Sequence, residues 1–242
     1  MSFSHGAETR KALSFAVERD NLLQCYDAFE STGSTHWPDV AGIYSGSKAG
    51  GSPTLNTTDG VGPNKIKYFE MGGTSYFNFQ SHSQPYTCSL STWTRINDTN
   101  DQEVICSNDN GGPVSTYYDI NASGYMNFGY YANSGSSPYD GPGEAATWRT
   151  ITGTGTVVDD NVWHHCVWAR NDQNHKFYVD GGLDTNHTMT DIMGGAIDVI
   201  GAKWSLGSKF NGDIAHVSTY SVQLSATQVS NMYEAQRHRF GV

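Results

Sequence analysis

Short runs of alternating apolar and polar residues recur along this 242-residue sequence, and clusters of turn-forming residues separate them. A period of two is that of a β-strand with one buried face. We count about ten to twelve such runs, and no long segment with the helical period of 3.6 precedes the C-terminal end. The pattern predicts an all-β chain folded as one two-sheet antiparallel jelly-roll sandwich. The 27 glycines and the low charged fraction of 16% agree with many tight turns.

The charge and the hydropathy pattern exclude several classes of protein. The formal net charge is −10, and the 14 basic residues form no stripe of the kind that binds phosphates. No apolar run approaches the roughly 20 residues of a transmembrane helix, and the N-terminal residues lack the apolar core of a signal peptide. We therefore expect no nucleic-acid binding, no membrane insertion and no export by a cleaved signal. The four cysteines (Cys25, Cys88, Cys106 and Cys166) are then expected to be buried, reduced thiols.

Turn-forming residues divide the chain into individual strands. Residues 45–64 are predicted as one long loop, and residues 65–79 as a hairpin about Gly72 and Gly73. Residues 115–131 are predicted as two strands around an Asn-Ala-Ser-Gly turn. Further strands are predicted at Leu22–Ala28, Tyr86–Ile96, Trp148–Thr152, Trp163–Arg170, His175–Val179, Ala196–Ile200 and Asp213–Tyr220.

One helix is predicted, near the C-terminus. Ser225 and Gln228 have the spacing of a capping box, in which each side chain bonds the other residue's backbone N–H. Leu224 and Val229 are placed to form the accompanying hydrophobic staple. The predicted buried face consists of Val229, Met232, Tyr233 and Gln236.

The stretch VWHHCVWARNDQNHKFYVDGG, residues 162–182, is the densest in metal-binding side chains. A zinc site is one interpretation, with His164, His165, Cys166 and His175 as ligands. Adjacent residues on a strand point to opposite faces, so His164 and His165 cannot share one ion. No CxxC or HExxH spacing is present. We therefore interpret the stretch as a structural hairpin with its turn at residues 171–174.

This hairpin resembles the W-x-H … Y-v-D-G hairpin of the laminin-G-like (concanavalin A-like) jelly-roll domains. The downstream segments IDVIGAKW and FNGDIAHVSTYSVQLSATQVSNMY resemble the C-terminal pattern of the same family. The resemblance implies a single laminin-G-like sandwich. The matching positions are Trp163, His165, Tyr178, Asp180, Gly181, Gly201, Phe210, Gly212, Ile214, Val217, Tyr220, Leu224 and Ser225.

The two ends of the sequence resemble a narrower group, the laminin-G-like proteins encoded by marine and cyanobacterial phages. The segments concerned are LLQCYDAFESTGSTHWPDVAG near the N-terminus and the final AQRHRFGV. This resemblance implies a virion structural protein at the outer capsid surface or on an appendage, either a capsid decoration or a head-fibre protein. Its expected partners are capsid or other virion proteins and sister subunits of a homo-oligomer. The resemblance covers residues 21–242, which we predict as the jelly-roll domain, with residues 1–20 as an N-terminal arm.

A glycan-binding adhesin for host attachment is the alternative function, and a glycan hydrolase is a further one. Hydrolysis of a sugar bond needs two carboxyl groups roughly 5–9 Å apart. The β-glucanases of the superfamily resemble one another in a Glu-x-Asp-x-Glu or Glu-x-Asp-x-x-Glu strand, but here no two of the seven glutamates lie within nine residues of each other. We therefore expect no enzymatic activity and no catalytic residues.

Two groups of residues are candidates for ligand binding. The aromatic rings of Tyr130, Tyr131 and Tyr139 are a candidate platform for a glycan or a partner, although the first two also fit a strand with buried aromatic residues. Laminin-G-like domains often carry calcium at the rim, and Ca²⁺ takes six to eight oxygen ligands. The candidate residues for such a site are Asp98, Asp101 and Asp109. No other cofactor is expected.

Overall fold

The computed structural model describes residues 21–41, 45–57, 66–96, 102–107, 116–132, 147–189, 195–203 and 208–242, without the side chains of 80–84, 131–132, 147–148 and 195–196. These ranges contain sixteen strands, a 3-10 helix (Ala28–Glu30) and a C-terminal α-helix (Ala226–Phe240). The strands are β1 (Leu22–Asp27), β2 (His36–Trp37), β3 (Gly46–Gly50), β4 (Thr54–Asn56), β5 (Tyr68–Glu70), β6 (Tyr76–Gln84), β7 (Thr87–Ile96), β8 (Glu103–Ser107), β9 (Thr116–Ile120), β10 (Met126–Ala132), β11 (Thr147–Thr152), β12 (Trp163–Asn171), β13 (Asn174–Val179), β14 (Gly182–Thr188), β15 (Gly195–Ile200) and β16 (Gly212–Tyr220).

The strands form two eight-stranded antiparallel sheets. Sheet I has the order β14-β13-β12-β7-β16-β5-β4, and β1 also pairs with β16. Sheet II has the order β11-β10-β9-β8-β15-β6-β3-β2. The predicted fold class, a two-sheet sandwich with one short C-terminal helix, is confirmed in the described part of the chain.

The main core lies between the two sheets and is rich in aromatic rings. On sheet II, alternate residues of the β9–β10 hairpin enter it, including Tyr118, Ile120 and Phe128. On sheet I, Cys166 and Trp168 of β12 enter it from the opposite side. A strand with one face in this core presents its remaining side chains on the outer face of its sheet.

The C-terminal helix covers the outer face of sheet I. Val167 and Ala169 of β12 pack in one cluster with Val229 and Met232 of the helix. The capping box is confirmed: Ser225 Oγ accepts from Gln228 N at 3.3 Å, and Gln228 Oε1 accepts from Ser225 N at 2.9 Å. Of the predicted helix face, Val229, Met232 and Gln236 are buried, and Tyr233 is half-buried.

The two signature segments near the ends of the sequence meet in the folded chain. The buried carboxylate of Asp27, at the end of β1, lies 3.2 Å from Arg239 Nη1 and 3.7 Å from His216 Nδ1. Although burial alone would raise it, Arg239 and His216 hold the pKa of Asp27 well below its usual value. Asp39 Oδ1 accepts from Cys25 N at 2.9 Å, which fixes the loop after β2 against β1. These residues therefore join the first strand, its loop and the final helix.

Most predicted strands and turns are confirmed, but two predictions are wrong. The predicted hairpin at residues 65–79 does not exist, because β5 belongs to sheet I and β6 to sheet II. The predicted loop at residues 45–64 contains β3 and β4, which are short strands with Gly, Ser and Thr. The strand segments of this region are too short to show a clear period.

Two further expectations can be checked within the described residues. All four cysteines are buried and free of disulfide bonds, as predicted. No helix in the described ranges is long and apolar enough to cross a membrane. The predicted arm, residues 1–20, lies outside the described residues, so the domain boundary at residue 21 stays a prediction.

Candidate functional site

The outer face of sheet II has a connected set of polar side chains, which we call the polar face. Because Tyr118, Ile120, Met126 and Phe128 enter the main core, the residues between them project outwards. Asn127 Nδ2 donates to Asp119 Oδ1 at 2.8 Å, and Thr152 Oγ1 donates to Asn127 Oδ1 at 2.8 Å. The polar face comprises Gln102, Tyr117, Asp119, Asn127, Thr152 and Lys203.

A buried carboxyl group lies at the centre of the polar face. Asp119 is fully buried and accepts hydrogen bonds from the side-chain amides of Asn127 and Gln102. Burial raises the pKa of Asp119 to about 7, although the two amides and Lys203 partly oppose the shift. The carboxyl group therefore titrates near neutral pH and holds both amides in fixed orientations.

An aromatic ring and a lysine complete the polar face on one side. The Tyr117 ring lies directly against Gly129, where an added Cβ would be only 2.0 Å from Tyr117 Cζ. Lys203 Nζ lies 4.4 Å from the centroid of the same ring, within the range of a cation–π contact. Gln102, Thr152 and Lys203 are half-exposed, whereas Tyr117 and Asn127 are buried. The accessible groups thus provide both hydrogen-bond donors and acceptors above a buried framework.

The histidines of the 162–182 hairpin do not converge on one site. His164 lies between two carboxylates: its Nδ1 is 2.7 Å from Asp180 Oδ2 and its Nε2 is 3.1 Å from Asp160 Oδ1. Burial lowers the pKa of His164, but the two carboxylates outweigh it and raise the pKa overall. In the described residues, no group of three or more His, Cys, Asp or Glu is arranged to hold a metal ion.

The other two histidines of this hairpin have structural surroundings. His165 is fully buried under the C-terminal helix, with Nε2 2.8 Å from Ser91 Oγ, and burial lowers its pKa to about 3. His175 stacks on Phe128 with ring centroids 5.4 Å apart. Asp180 directly follows β13, has a φ of 49°, and accepts from His165 N at 2.9 Å. The interpretation of the stretch as a structural hairpin agrees with this geometry.

The structure corrects one candidate contact residue. Tyr130 is fully buried, and its ring is stacked on Phe128 with centroids 6.0 Å apart, so it offers no surface to a glycan or partner. Tyr139 and the Tyr131 side chain lie outside the described residues. So do the calcium candidates Asp98, Asp101 and Asp109, and this site stays a prediction.

The polar face was not predicted, although part of it follows from the local sequence. In TYYDI, Tyr117 and Asp119 occupy alternate positions, and the turn after Ile120 pairs Asp119 with Asn127. Alternate residues of a strand lie on the same face, so the rule that assigns the two faces of β12 also predicts that Tyr117 and Asp119 share one face of β9. Gln102 and Lys203 come from segments distant in sequence, and no local pattern connects them with Asp119.

Comparisons with known proteins agree with this architecture. A family model of the concanavalin A-like lectin/glucanases superfamily, its laminin G type, matches residues 71–230. Among curated proteins, no sequence match is found. Domain 4 of the extracellular arabinanase AbnA from Geobacillus stearothermophilus, solved with arabinotriose, is similar with a TM-score of 0.64 and 17% identity. That similarity covers 88% of this chain and 98% of the other.

A botulinum neurotoxin structure and a domain of a mosquitocidal protein are similar as well. Botulinum neurotoxin type C, whose cell entry depends on interaction with two ganglioside molecules, has a TM-score of 0.61 and 14% identity over 90% of this chain. The binding domain of Paraclostridial Mosquitocidal Protein 1 has a TM-score of 0.59 and 14% identity over 89% of this chain. This chain spans about half of each toxin chain, 52%. At these identities the similarity establishes the fold, and the family model covers 160 of the 242 residues. The chain therefore belongs to the concanavalin A-like lectin/glucanases superfamily.

Proposed function

We propose that this chain is a non-enzymatic attachment domain that binds glycans through the polar face of sheet II. The observation that carries the proposal is the network centred on Asp119 and Asn127, which fixes amide and hydroxyl groups on a sheet surface. Sugars present many hydroxyl groups that both donate and accept, and side-chain amides match both roles. Fixed orientation of these groups lowers the entropic cost of binding.

The accessibility of the two sheets favours the same surface. The outer face of sheet I is packed against the C-terminal helix through two apolar clusters. On sheet II, the half-exposed side chains of Gln102, Thr152 and Lys203 remain accessible to a ligand. The similar structures include an arabinanase domain solved with arabinotriose and a toxin that interacts with gangliosides, which is consistent with a glycan ligand.

A purely binding role is favoured by the surroundings of Asp119. Glycoside hydrolysis uses two carboxyl groups on either side of the scissile bond. Among the described residues, two side-chain amides donate hydrogen bonds to Asp119, and Lys203 is a charged group that lowers its pKa. We expect no release of reducing ends when the protein is incubated with a panel of polysaccharides.

A glycan array tests the binding proposal. The fluorescently labelled full chain should bind a restricted set of glycans, and the free sugar should compete for binding. An array without specific signals, repeated with calcium because of the predicted rim site, would remove this function.

A virion structural role, as a capsid decoration or appendage protein, is the second candidate. The specific observation in its favour is that the two phage-like signature segments form one buried unit through Asp27 and Arg239. This role locates the chain at the virion surface, with capsid proteins and sister subunits as partners. Quantitative mass spectrometry of purified particles should find the chain at a fixed copy number, and its absence from the particles would contradict this role.

A further inference from the structure

A row of four side chains crosses sheet I where β12 turns into β13. Cys88, Arg170, His175 and His187 are cross-strand neighbours on β7, β12, β13 and β14, so their side chains lie on the same face of the sheet. The first three are buried and His187 is exposed. The row therefore leads from the surface into the space between the sheets, where Phe128 of sheet II faces it.

Arg170 has a positive charge in a buried position. The residue is only 4% exposed. Its Nε donates a hydrogen bond to Cys88 Sγ at 3.0 Å, and its Nη2 donates one to the Pro85 carbonyl oxygen at 3.2 Å. Among the described residues, no aspartate or glutamate forms an ion pair with it. A guanidinium group remains protonated in proteins, and a buried charge without a counter-charge is strongly unfavourable.

A small cavity adjoins this guanidinium group. Its volume is about 10 Å³, which leaves room for one small occupant, and its lining includes Arg170, Trp168, His175 and Cys88. Trp168 Nε1 is buried and has no hydrogen-bond acceptor in the described part of the chain. Burial, together with Arg170 and His187, lowers the pKa of His175 to about 3, so this ring is neutral at physiological pH. The cavity thus combines one positive charge with an unused N–H donor.

We propose that this cavity binds a single monovalent anion of the size of chloride, held by the Arg170 guanidinium group and the Trp168 indole N–H. A single anion would supply both a counter-charge for Arg170 and a hydrogen-bond acceptor for the Trp168 N–H. A water molecule would supply only the acceptor. A cavity of about 10 Å³ favours a monatomic anion over polyatomic anions such as sulfate and phosphate. This site is separate from the polar face, so it does not depend on the proposed glycan binding.

Bromide is the direct probe, because it replaces chloride and gives an anomalous X-ray signal. Crystals of the wild-type chain grown with sodium bromide should show an anomalous peak within hydrogen-bonding distance of Arg170 and Trp168. In solution, sodium chloride or bromide should raise Tm by about 2–4 °C over sodium methanesulfonate at equal ionic strength, with saturation. A cavity without an anomalous peak, or equal Tm values in the three salts, would overturn the proposal.

Matched variants separate the site from general salt effects. Trp168→Phe removes the N–H donor and keeps most of the ring, and it should abolish the halide-specific rise in Tm. Trp37→Phe makes the same change at another buried indole, which has no acceptor among the described residues and does not line the cavity, and it should keep the rise. Loss of the rise in both variants, or in neither, would contradict the assigned site. The wild-type bromide experiment needs no variant, so a folding defect cannot obscure the result.

Discussion

Single residues on β10 show why a tyrosine platform and a polar face are easily confused in the sequence. Gly129 and Tyr130 are adjacent, yet Gly129 supports the outward Tyr117 ring while Tyr130 is buried in the core. Alternation predicts that neighbouring residues face opposite ways, but it does not say which face is the core. The hairpin partner decides this, because Tyr118 and Phe128 are paired across the strands and both face inwards.

The Asp119→Asn variant tests the buried carboxyl group of the polar face. Asp119 has a pKa of about 7 in the folded chain, against 3.8 for an ordinary aspartate. Between pH 3.8 and about 7 the folded state therefore binds more protons at this group than the unfolded state does. Because of this difference, the contribution of Asp119 to the free energy of unfolding falls as the pH rises, and it stops falling above the folded pKa. The variant lacks this contribution, so its free energy of unfolding should rise relative to wild type from pH 4 to 7.

Urea unfolding at a series of pH values measures this difference. His165 and His175, whose pKa values are lowered, contribute a slope of opposite sign over part of this window, but they are present in both proteins and cancel. Asp172→Asn, at an exposed turn position, is the control and should parallel wild type. Parallel curves for Asp119→Asn and wild type would show that Asp119 is ionised in the folded chain throughout.

For strands and helices, the sequence predicts the local structure of an element better than it predicts which strands pair with each other. The capping box at Ser225, the turn after Asn171 and the faces of β12 all depend on residues close in sequence, and all are confirmed. The segment at residues 65–79 was assigned to one hairpin, but its two strands enter different sheets. The Gly72-Gly73 pair permits a turn, and distant partners such as β15 and β16 determine where each strand goes.

Ser225→Ala tests how firmly the C-terminal helix is attached to sheet I. The Ser225 hydroxyl satisfies the Gln228 N–H at the helix N-terminus, so its loss should lower the free energy of unfolding by about 1 kcal/mol. Ser230→Ala, at an exposed position inside the same helix, is the control and should change stability by less than about 0.5 kcal/mol. Equal effects of the two variants in urea unfolding would mean that the cap contributes nothing specific.

Gly129→Ala tests the close contact between β9 and β10 on the polar face. The added methyl group would meet the Tyr117 ring, so the ring must move, and we expect a loss of about 1–3 kcal/mol in the free energy of unfolding. Gly33→Ala is the control, because an added Cβ there has no neighbour within 4 Å. Equal urea unfolding curves for Gly129→Ala and Gly33→Ala would contradict the packing described for this face.

For the whole molecule, the two outer sheet faces have different roles. The helix covers sheet I, and its attachment is reinforced by the Asp27–Arg239 ion pair between the first strand and the last helix. Sheet II has the polar face, to which the residue before β8, strands β9, β10 and β11, and the segment after β15 contribute. The fold class could be predicted from periodicity alone. The candidate site could not be predicted in this way, because its half-exposed groups come together only in the folded sheet.

The proposed role of the polar face is tested most directly by its affinity for a glycan identified on the array. Isothermal titration should show Gln102→Ala and Lys203→Ala weakening binding at least about tenfold, equivalent to about 1.4 kcal/mol. Lys176→Ala, a half-buried lysine on sheet I, is the control and should bind as wild type does. If the polar-face variants bind as tightly as wild type, or if Lys176→Ala alone weakens binding, the glycan binds elsewhere and the account is contradicted.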